Sequence, residues 1–78
     1  MKFTDYFQST RHRPDRAFIS LDWIQQVVDD PVRQELQQDG RIRRWGQIAE
    51  LDGRYLRVIL LPDGETVHNA FIDGRFRP

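Results

Sequence analysis

Alternating apolar and polar residues dominate the second half of the chain and predict β-strands. Three such segments cover residues 41–48, 54–61 and 65–72, and all are rich in β-branched and aromatic residues. Each follows an Asp-Gly dipeptide, which favours a tight hairpin because both central residues of a type I′ turn need positive φ. A fourth such dipeptide is Asp73-Gly74. The pattern therefore predicts an antiparallel β-meander.

The turn positions also predict the register of the strands. A two-residue loop at Asp52-Gly53 sets Ile48 opposite Arg57, and one at Asp63-Gly64 sets Leu60 opposite Val67. Successive side chains point to opposite faces, so the sheet has an apolar core face and a mixed outer face. A bulge, most favoured at Gly46, would shift part of this assignment. The core face is predicted to carry Trp45, Ala49, Leu56, Val58, Leu60, Val67, Asn69 and Phe71, and the outer face Arg44, Ile48, Glu50, Tyr55, Arg57, Ile59, Thr66, His68 and Ile72.

Residues 20–31 have the pattern of a short amphipathic helix. Apolar residues recur at helical spacing from Leu21 to Val28. Ser20 is suited to cap the N-terminus, and Pro31 disfavours helical geometry at the residue before it. A helix of this length depends on tertiary packing, so we expect it to lie across the core face.

Two other segments leave alternatives open. Residues 32–38 fit either a strand or a short helix that begins at Pro31. We favour the strand, because the turn at Asp39-Gly40 then has a partner and Glu35 lies opposite Arg44. Residues 1–16 fit an edge strand, or a loose segment, followed by a basic connector. We therefore predict one α+β domain, residues 1–78, with an antiparallel β-meander of three to four strands and one short helix on its apolar face.

The composition narrows the function classes. Basic and acidic residues both number 12, a balance that does not by itself indicate a nucleic-acid footprint. The chain has no cysteine and only two histidines, so we expect no disulfide, metal or cofactor. No apolar run reaches the ~18 residues of a membrane span, and the N-terminus is too polar for a signal peptide. A cytoplasmic protein without a membrane partner is expected.

The outer face carries the residues best suited to catalysis. Arginine pairs can hold a phosphate, and histidine can transfer protons near neutral pH. This combination is typical of metal-independent ribonucleases, although the same residues also fit a solvated sheet face with cross-strand pairs such as Glu50 with Tyr55. The candidate catalytic residues are His68, Arg57, Arg44 and Tyr55.

A second basic cluster lies near the N-terminus. Arg11, His12, Arg13 and Arg16 follow one another closely and, together with Arg44, are candidates for salt-sensitive contacts to nucleic-acid phosphates. The alternative is that this cluster is a solvated connector.

The order of these features resembles a known family. A basic stretch with His12 and Arg16 precedes the helix that ends at Pro31, and three strand segments follow it: Asp39-Gly-Arg-Ile-Arg-Arg-Trp-Gly46, Arg54-Tyr-Leu-Arg-Val-Ile-Leu60 and Glu65-Thr-Val-His-Asn-Ala-Phe71. The chain is similar to small bacterial proteins of unknown function that distantly resemble the RelE and BrnT toxin superfamily. The resemblance implies a helix-covered antiparallel sheet, cleavage of messenger RNA by residues on the open face, and a cognate antitoxin. The positions it implies are Arg44, Tyr55, Arg57 and His68.

Two functional hypotheses follow. The favoured one is a non-enzymatic interaction domain with a RelE-like fold, which binds a protein partner or forms a homodimer. It rests on an apolar stripe on the outer face, a surface of the kind that partners cover, and this stripe consists of Ile48, Tyr55, Ile59 and Ile72. The alternative is a RelE- or BrnT-like ribonuclease, or a degenerate relative, that acts on RNA through Arg and His of the same face.

Overall fold

The computed structural model describes all 78 residues and is an α+β structure with one mixed sheet. Strands β2 to β5 form an antiparallel meander, and β1 adds in parallel beside β5, so the sheet order is β1-β5-β4-β3-β2. The α+β class is as predicted, and β1 is the edge strand that was one of two alternatives for the N-terminal segment. A meander of three to four strands with one helix matches only roughly, because the fifth strand pairs in parallel and a second helix forms. The elements are β1 (Lys2–Phe3), α1 (Asp5–Thr10), α2 (Leu21–Asp29), β2 (Arg33–Leu36), β3 (Ile42–Ile48), a 3-10 helix (Ala49–Leu51), β4 (Arg54–Leu60) and β5 (Thr66–Ile72).

The N-terminal segment is more ordered than an edge strand with a basic connector. The short β1 does form an edge, but α1 follows it directly. The Thr4 side chain caps α1 by accepting the Phe7 N–H. Phe7 is buried and stacks on Phe3 with 5.2 Å between ring centroids. The six residues of α1 are too few to show a helical periodicity in the sequence. A helix this short depends on tertiary packing, which the buried Phe7 supplies here.

Helix α2 forms where it was predicted and covers one face of the sheet. Ser20 accepts the Trp23 N–H as the N-cap, and the helix ends before Pro31. Ile24 and Val27 point into the core against β3 and β4. We call this covered side the inner face. Its fully buried side chains include Ile24, Val27, Ile48, Leu56, Val58, Leu60 and Val67.

The segment that fitted either a strand or a helix is strand β2. It pairs with β3, and the pairing extends to Gln37, whose N–H donates to the Arg41 carbonyl. The loop between them is therefore residues 38–40, in which the Gly40 N–H donates to the Gln37 carbonyl. This loop is one residue longer than the predicted turn. Glu35 therefore lies opposite Arg43 and not opposite Arg44.

The predicted register between β3 and β4 is wrong by three residues. Ile48 lies opposite Arg54, because the 3-10 helix and Asp52-Gly53 together make a five-residue loop. Asp52 and Gly53 do have positive φ, as their sequence indicates. A shift by an odd number exchanges the faces of β3. Ile48 and Arg44 therefore belong to the inner face and Trp45 to the outer one, while Ala49 leaves the sheet.

The register between β4 and β5 is right at its start and wrong beyond a bulge. Leu60 lies opposite Val67 as predicted, but the register shifts between Ile59 and Leu60, with His68 as the extra residue. Beyond the bulge, Asn69 and Phe71 lie on the outer face, and Ala70 and Ile72 on the inner face. The bulge is not at Gly46, which instead gives α2 a close approach: a Cβ there would lie 2.7 Å from Val27 Cγ2.

The fourth Asp-Gly dipeptide is not a hairpin. After Asp73-Gly74 the chain folds back across the outer face. Phe76 becomes buried there and stacks on Trp45, with the ring centroids 4.8 Å apart. The last six residues therefore cover part of the face that the sequence pattern left open.

Candidate functional site

A buried carboxylate organises one end of the outer face. Asp73 Oδ2 accepts three hydrogen bonds: 2.9 Å from Trp45 Nε1, 3.1 Å from Arg57 Nε and 2.7 Å from Arg57 Nη2. Asp73 Oδ1 accepts the Arg75 backbone N–H. Asp73 is 9% exposed and the Arg57 side chain 25% exposed, so this arrangement is a partly desolvated, charge-assisted ion pair in which both carboxylate oxygens accept hydrogen bonds.

Aromatic rings hold the guanidinium of this ion pair. Arg57 Cζ lies 5.3 Å from the centroid of the Trp45 ring and 5.0 Å from that of Phe71. Arg16 Cζ lies 5.2 Å from the Phe71 ring. Cations at such distances are attracted by the ring quadrupole. Arg57 is therefore fixed in place by its neighbours and partly neutralised.

The protonation of Asp73 follows from the same contacts. Burial alone would raise the pKa of its carboxyl group, but hydrogen bonds from Trp45, Arg57 and the Arg75 backbone outweigh it, so the pKa lies below its ordinary value. Asp73 is thus a carboxylate at neutral pH, and it counters the charge of Arg57.

His68 lies at the bulge and is oriented by the N-terminal segment. Its Nδ1 is 3.1 Å from Thr4 Oγ1, and its ring stacks on that of Tyr6 with centroids 4.9 Å apart. Burial, and then the charge of Arg41, lower the pKa of the His68 imidazole. A neutral ring that accepts the Thr4 hydroxyl proton at Nδ1 is consistent with this direction.

His68 and Arg57 share an open depression on the outer face. Its volume is about 380 Å³. No carboxylate is among the side chains that line it, although Asp39 is 3.7 Å from Arg41 in an exposed ion pair. The lining residues are Tyr6, Gln37, Arg41, Arg57, Ile59, His68, Asn69 and Phe71. We call this the outer-face depression.

The other two predicted catalytic residues lie elsewhere. Arg44 points to the inner face, where it donates 2.6 Å to Gln34 Oε1 and 2.8 Å to the Val28 carbonyl at the end of α2. A cation at this end of a helix is favourable. Tyr55 shares the outer face with Arg57 but packs against Phe76, with centroids 5.0 Å apart, and does not line the depression.

The basic N-terminal cluster is dispersed. Arg16 is largely buried and donates 2.7 Å to Asn69 Oδ1, so it ties the connector to β5. Arg11 lies over the Phe7 ring, and Arg13 pairs with Asp15 at 3.4 Å. His12 is exposed. These side chains do not converge on one surface with Arg44.

The predicted apolar stripe does not exist as one surface. Ile48 is fully buried under α2, and Ile72 faces inward opposite Leu56. Ile59 and Tyr55 alone remain on the outer face, Ile59 being 7% exposed. The cross-strand pair of Glu50 with Tyr55 is also absent, because Glu50 lies in the 3-10 helix and accepts Trp23 Nε1–H at 3.1 Å.

Sequence reasoning missed three residues of this face. Tyr6 was assigned to an edge strand or a loose segment, Arg41 was not singled out, and Asp73 was read as half of a turn. No local signal pointed to Asp73, because its partners Trp45 and Arg57 lie 28 and 16 residues away along the chain. Arg41 and Tyr6 meet His68 only through the fold.

Neither α-helix has the length and apolar character needed to cross a bilayer. No group of three or more metal-ligating side chains comes together. No protein-family model, curated protein or solved structure matches this chain.

Proposed function

We propose that this protein is a non-enzymatic interaction domain, and that its outer-face depression binds single-stranded RNA. The observation that carries the proposal is the set of groups around the depression. Arg41 and His68 face it beside the ring of Tyr6, which is 49% exposed. A cation next to an accessible ring matches a nucleotide, because the phosphate pairs with the cation and the base stacks on the ring.

Several contacts support binding rather than cleavage. Phosphodiester cleavage by acid–base chemistry needs proton-transfer groups beside a cation that holds the phosphate. Asp73 occupies Nε and Nη2 of Arg57, and Arg44 faces the other side of the sheet. His68 Nδ1 is engaged by Thr4, and its pKa is lowered by burial. Arg57 and His68 are therefore engaged by neighbouring side chains, and Arg44 does not join them.

The experiment is a binding titration with a labelled single-stranded RNA of about 10 nucleotides at low salt. We expect Tyr6→Ala to weaken binding by about 5- to 150-fold, the range of one stacking contact. Arg41→Gln should weaken binding and reduce the slope of log affinity against log salt by about one. Arg54→Gln is the matched control, because Arg54 is exposed at the start of β4 and does not line the depression. Equal affinities for all three variants, or no binding at low salt, would contradict the proposal.

A RelE-like ribonuclease is the second candidate, and one observation favours it: His68 and Arg57 line the same depression. The discriminating measurement is the length of the RNA after prolonged incubation. Intact RNA supports the interaction domain. Cleavage that disappears in His68→Gln, while RNA binding persists, would establish the ribonuclease instead.

A further inference from the structure

Strand β2 is an uncovered edge of the sheet. All four of its residues are exposed, and nothing pairs with the side away from β3. Two of the most exposed large apolar side chains belong to this edge: Leu36, its last residue, is 75% exposed, and Val32, just before it, is 55% exposed. The opposite edge differs, because β1 has two residues and runs at once into α1. Free edges of the β2 kind are templates for another strand.

The backbone of β2 offers hydrogen-bonding groups to such a strand. Gln37 N–H donates to the Arg41 carbonyl at 2.8 Å. Opposed residues of an antiparallel pair alternate between hydrogen-bonded and non-hydrogen-bonded positions. Counting back from Gln37, the N–H and C=O of Glu35 point toward β3, whereas those of Leu36 and Gln34 point outward.

The side chains of β2 are complementary to those of a reversed copy. We propose that two copies of this chain pair antiparallel through β2 about a two-fold axis at Gln34, which gives a continuous ten-stranded sheet. In this register Arg33 lies opposite the partner's Glu35. Leu36 lies opposite the partner's Val32, whose N–H donates to the Trp45 carbonyl of its own chain at 2.8 Å and is not offered across the interface. Each pair occurs twice by symmetry, as a closed isologous interface requires. The register places opposite charges together on the outer face.

The charges argue for a second copy over an unrelated strand. The two neighbouring registers that keep the same faces together would oppose Arg33 to Arg33 or Glu35 to Glu35, and charged side chains are a common protection of edges. In the monomer these two residues have weak partners. Glu35 is 3.9 Å from Arg43 in an exposed pair, and Arg33 lies over the Phe76 ring with Cζ 5.0 Å from its centroid. Exposed contacts of this kind contribute little to stability, so Arg33 and Glu35 can exchange them for contacts with the partner at small cost.

The dimer does not depend on the proposed RNA site. Residues 33–36 do not line the outer-face depression. RNA binding and dimerisation can therefore fail or succeed separately.

The experiment is sedimentation equilibrium of the full chain and of charge-reversal variants. We expect the wild type to dimerise with a dissociation constant no higher than about 1 mM, so that dimer is detected as the protein concentration approaches this value. Glu35→Arg alone and Arg33→Glu alone place like charges in both symmetric pairs, so each should weaken dimerisation by about tenfold or more. An equimolar mixture of these two variants should form a heterodimer, because every cross-strand pair is again of opposite charge. Glu65→Arg, the same charge change near the opposite edge, should leave dimerisation unchanged.

A second variant tests the backbone pairing. Gln34→Pro removes the N–H at the two-fold axis, which points away from β3, and proline is tolerated on edge strands in that orientation. We expect a monomer with an unchanged circular dichroism spectrum. Three results would overturn the proposal: a wild type that is monomeric at about 1 mM, a dimer indifferent to the β2 charges, or single variants whose mixture fails to associate. The charge mixture keeps the proposal falsifiable even where Gln34→Pro does not fold.

Discussion

The two faces of the sheet are stabilised in different ways. On the inner face, fully buried aliphatic side chains such as Leu56 and Val58 pack under α2. On the outer face, an ion pair between Arg57 and Asp73 lies among the rings of Trp45, Phe71 and Phe76. Aliphatic burial is non-directional, whereas the outer face relies on directed hydrogen bonds to a charge. The stability supplied by the inner face should therefore not depend on pH, whereas that supplied by the outer face requires the Asp73 carboxyl group to be ionised.

The largest expected effect is on the inner face. Leu56→Ala removes a fully buried side chain, and such truncations lower the free energy of unfolding by about 2–5 kcal/mol. Urea denaturation followed by circular dichroism measures this change. Gln38→Ala in the exposed loop between β2 and β3 is the control and should have little effect. A Leu56→Ala variant as stable as this control would show that the inner face is not the main source of stability.

A smaller loss is expected when the outer ion pair is broken. Asp73→Asn keeps the shape of the side chain but removes the charge that binds Arg57 and Trp45. Hydrogen bonds to charged groups contribute about 1.5–3 kcal/mol, and we expect a loss in this range at neutral pH. Equilibrium urea denaturation provides the measurement.

The same variant tests how the free energy of unfolding depends on pH. Hydrogen bonds to the carboxylate outweigh burial and lower the pKa of Asp73 in the folded chain below the ordinary 3.8. The resulting stabilisation is present above the unfolded pKa and is lost as the pH falls through the folded pKa. The difference in unfolding free energy between wild type and Asp73→Asn should therefore be constant near neutrality and shrink in acid. A difference that stays constant down to pH about 2 would contradict this account.

The C-terminal segment is expected to contribute less. Phe76→Ala removes the ring that stacks on Trp45 and contacts Tyr55, with a cost of about 1.5 kcal/mol for a buried ring at a chain end. The emission of Trp45 should shift to longer wavelength as water reaches the indole. Because Trp23 also fluoresces, the measurement compares Trp23→Phe with the double variant Trp23→Phe, Phe76→Ala, in which Trp45 is the only tryptophan. An unshifted spectrum would mean that the segment does not cover Trp45 in solution.

The smallest effect concerns His68. Burial and the charge of Arg41 lower the pKa of its imidazole below the ordinary 6.5, so the unfolded chain binds a proton more readily than the folded one. Stability from this group is present above the unfolded pKa and declines as the pH falls through the folded pKa. NMR titration of the His68 ring should give a midpoint below 6.5. Arg41→Gln should raise that midpoint, and an unchanged value would remove Arg41 as a cause.

Local signals accounted for α2, for strands β2 to β5 and for part of the pairing, but not for α1 or the 3-10 helix. Ser20 and Pro31 bound α2 because capping and proline geometry act within a few residues. Asp52-Gly53 adopts positive φ as its residue types require. The alternation in β4 correctly assigned Leu56, Val58 and Leu60 to the core. Of the predicted site, His68 and Arg57 do face one depression, but Arg44 and Tyr55 do not line it.

The sequence by itself determined that strands, turns and one amphipathic helix form, since these depend on side chains a few residues apart. Tertiary structure decided which faces the side chains share. The 3-10 helix before Asp52 and the bulge at His68 each change the register by an odd number of residues, so they move Trp45, Arg44 and Phe71 across the sheet. Packing of Trp45 under Phe76 and of Gly46 against Val27 stabilises those registers. Contacts between residues far apart in the chain are not encoded in any local pattern, and they alone bring Tyr6, Arg41 and His68 to one surface.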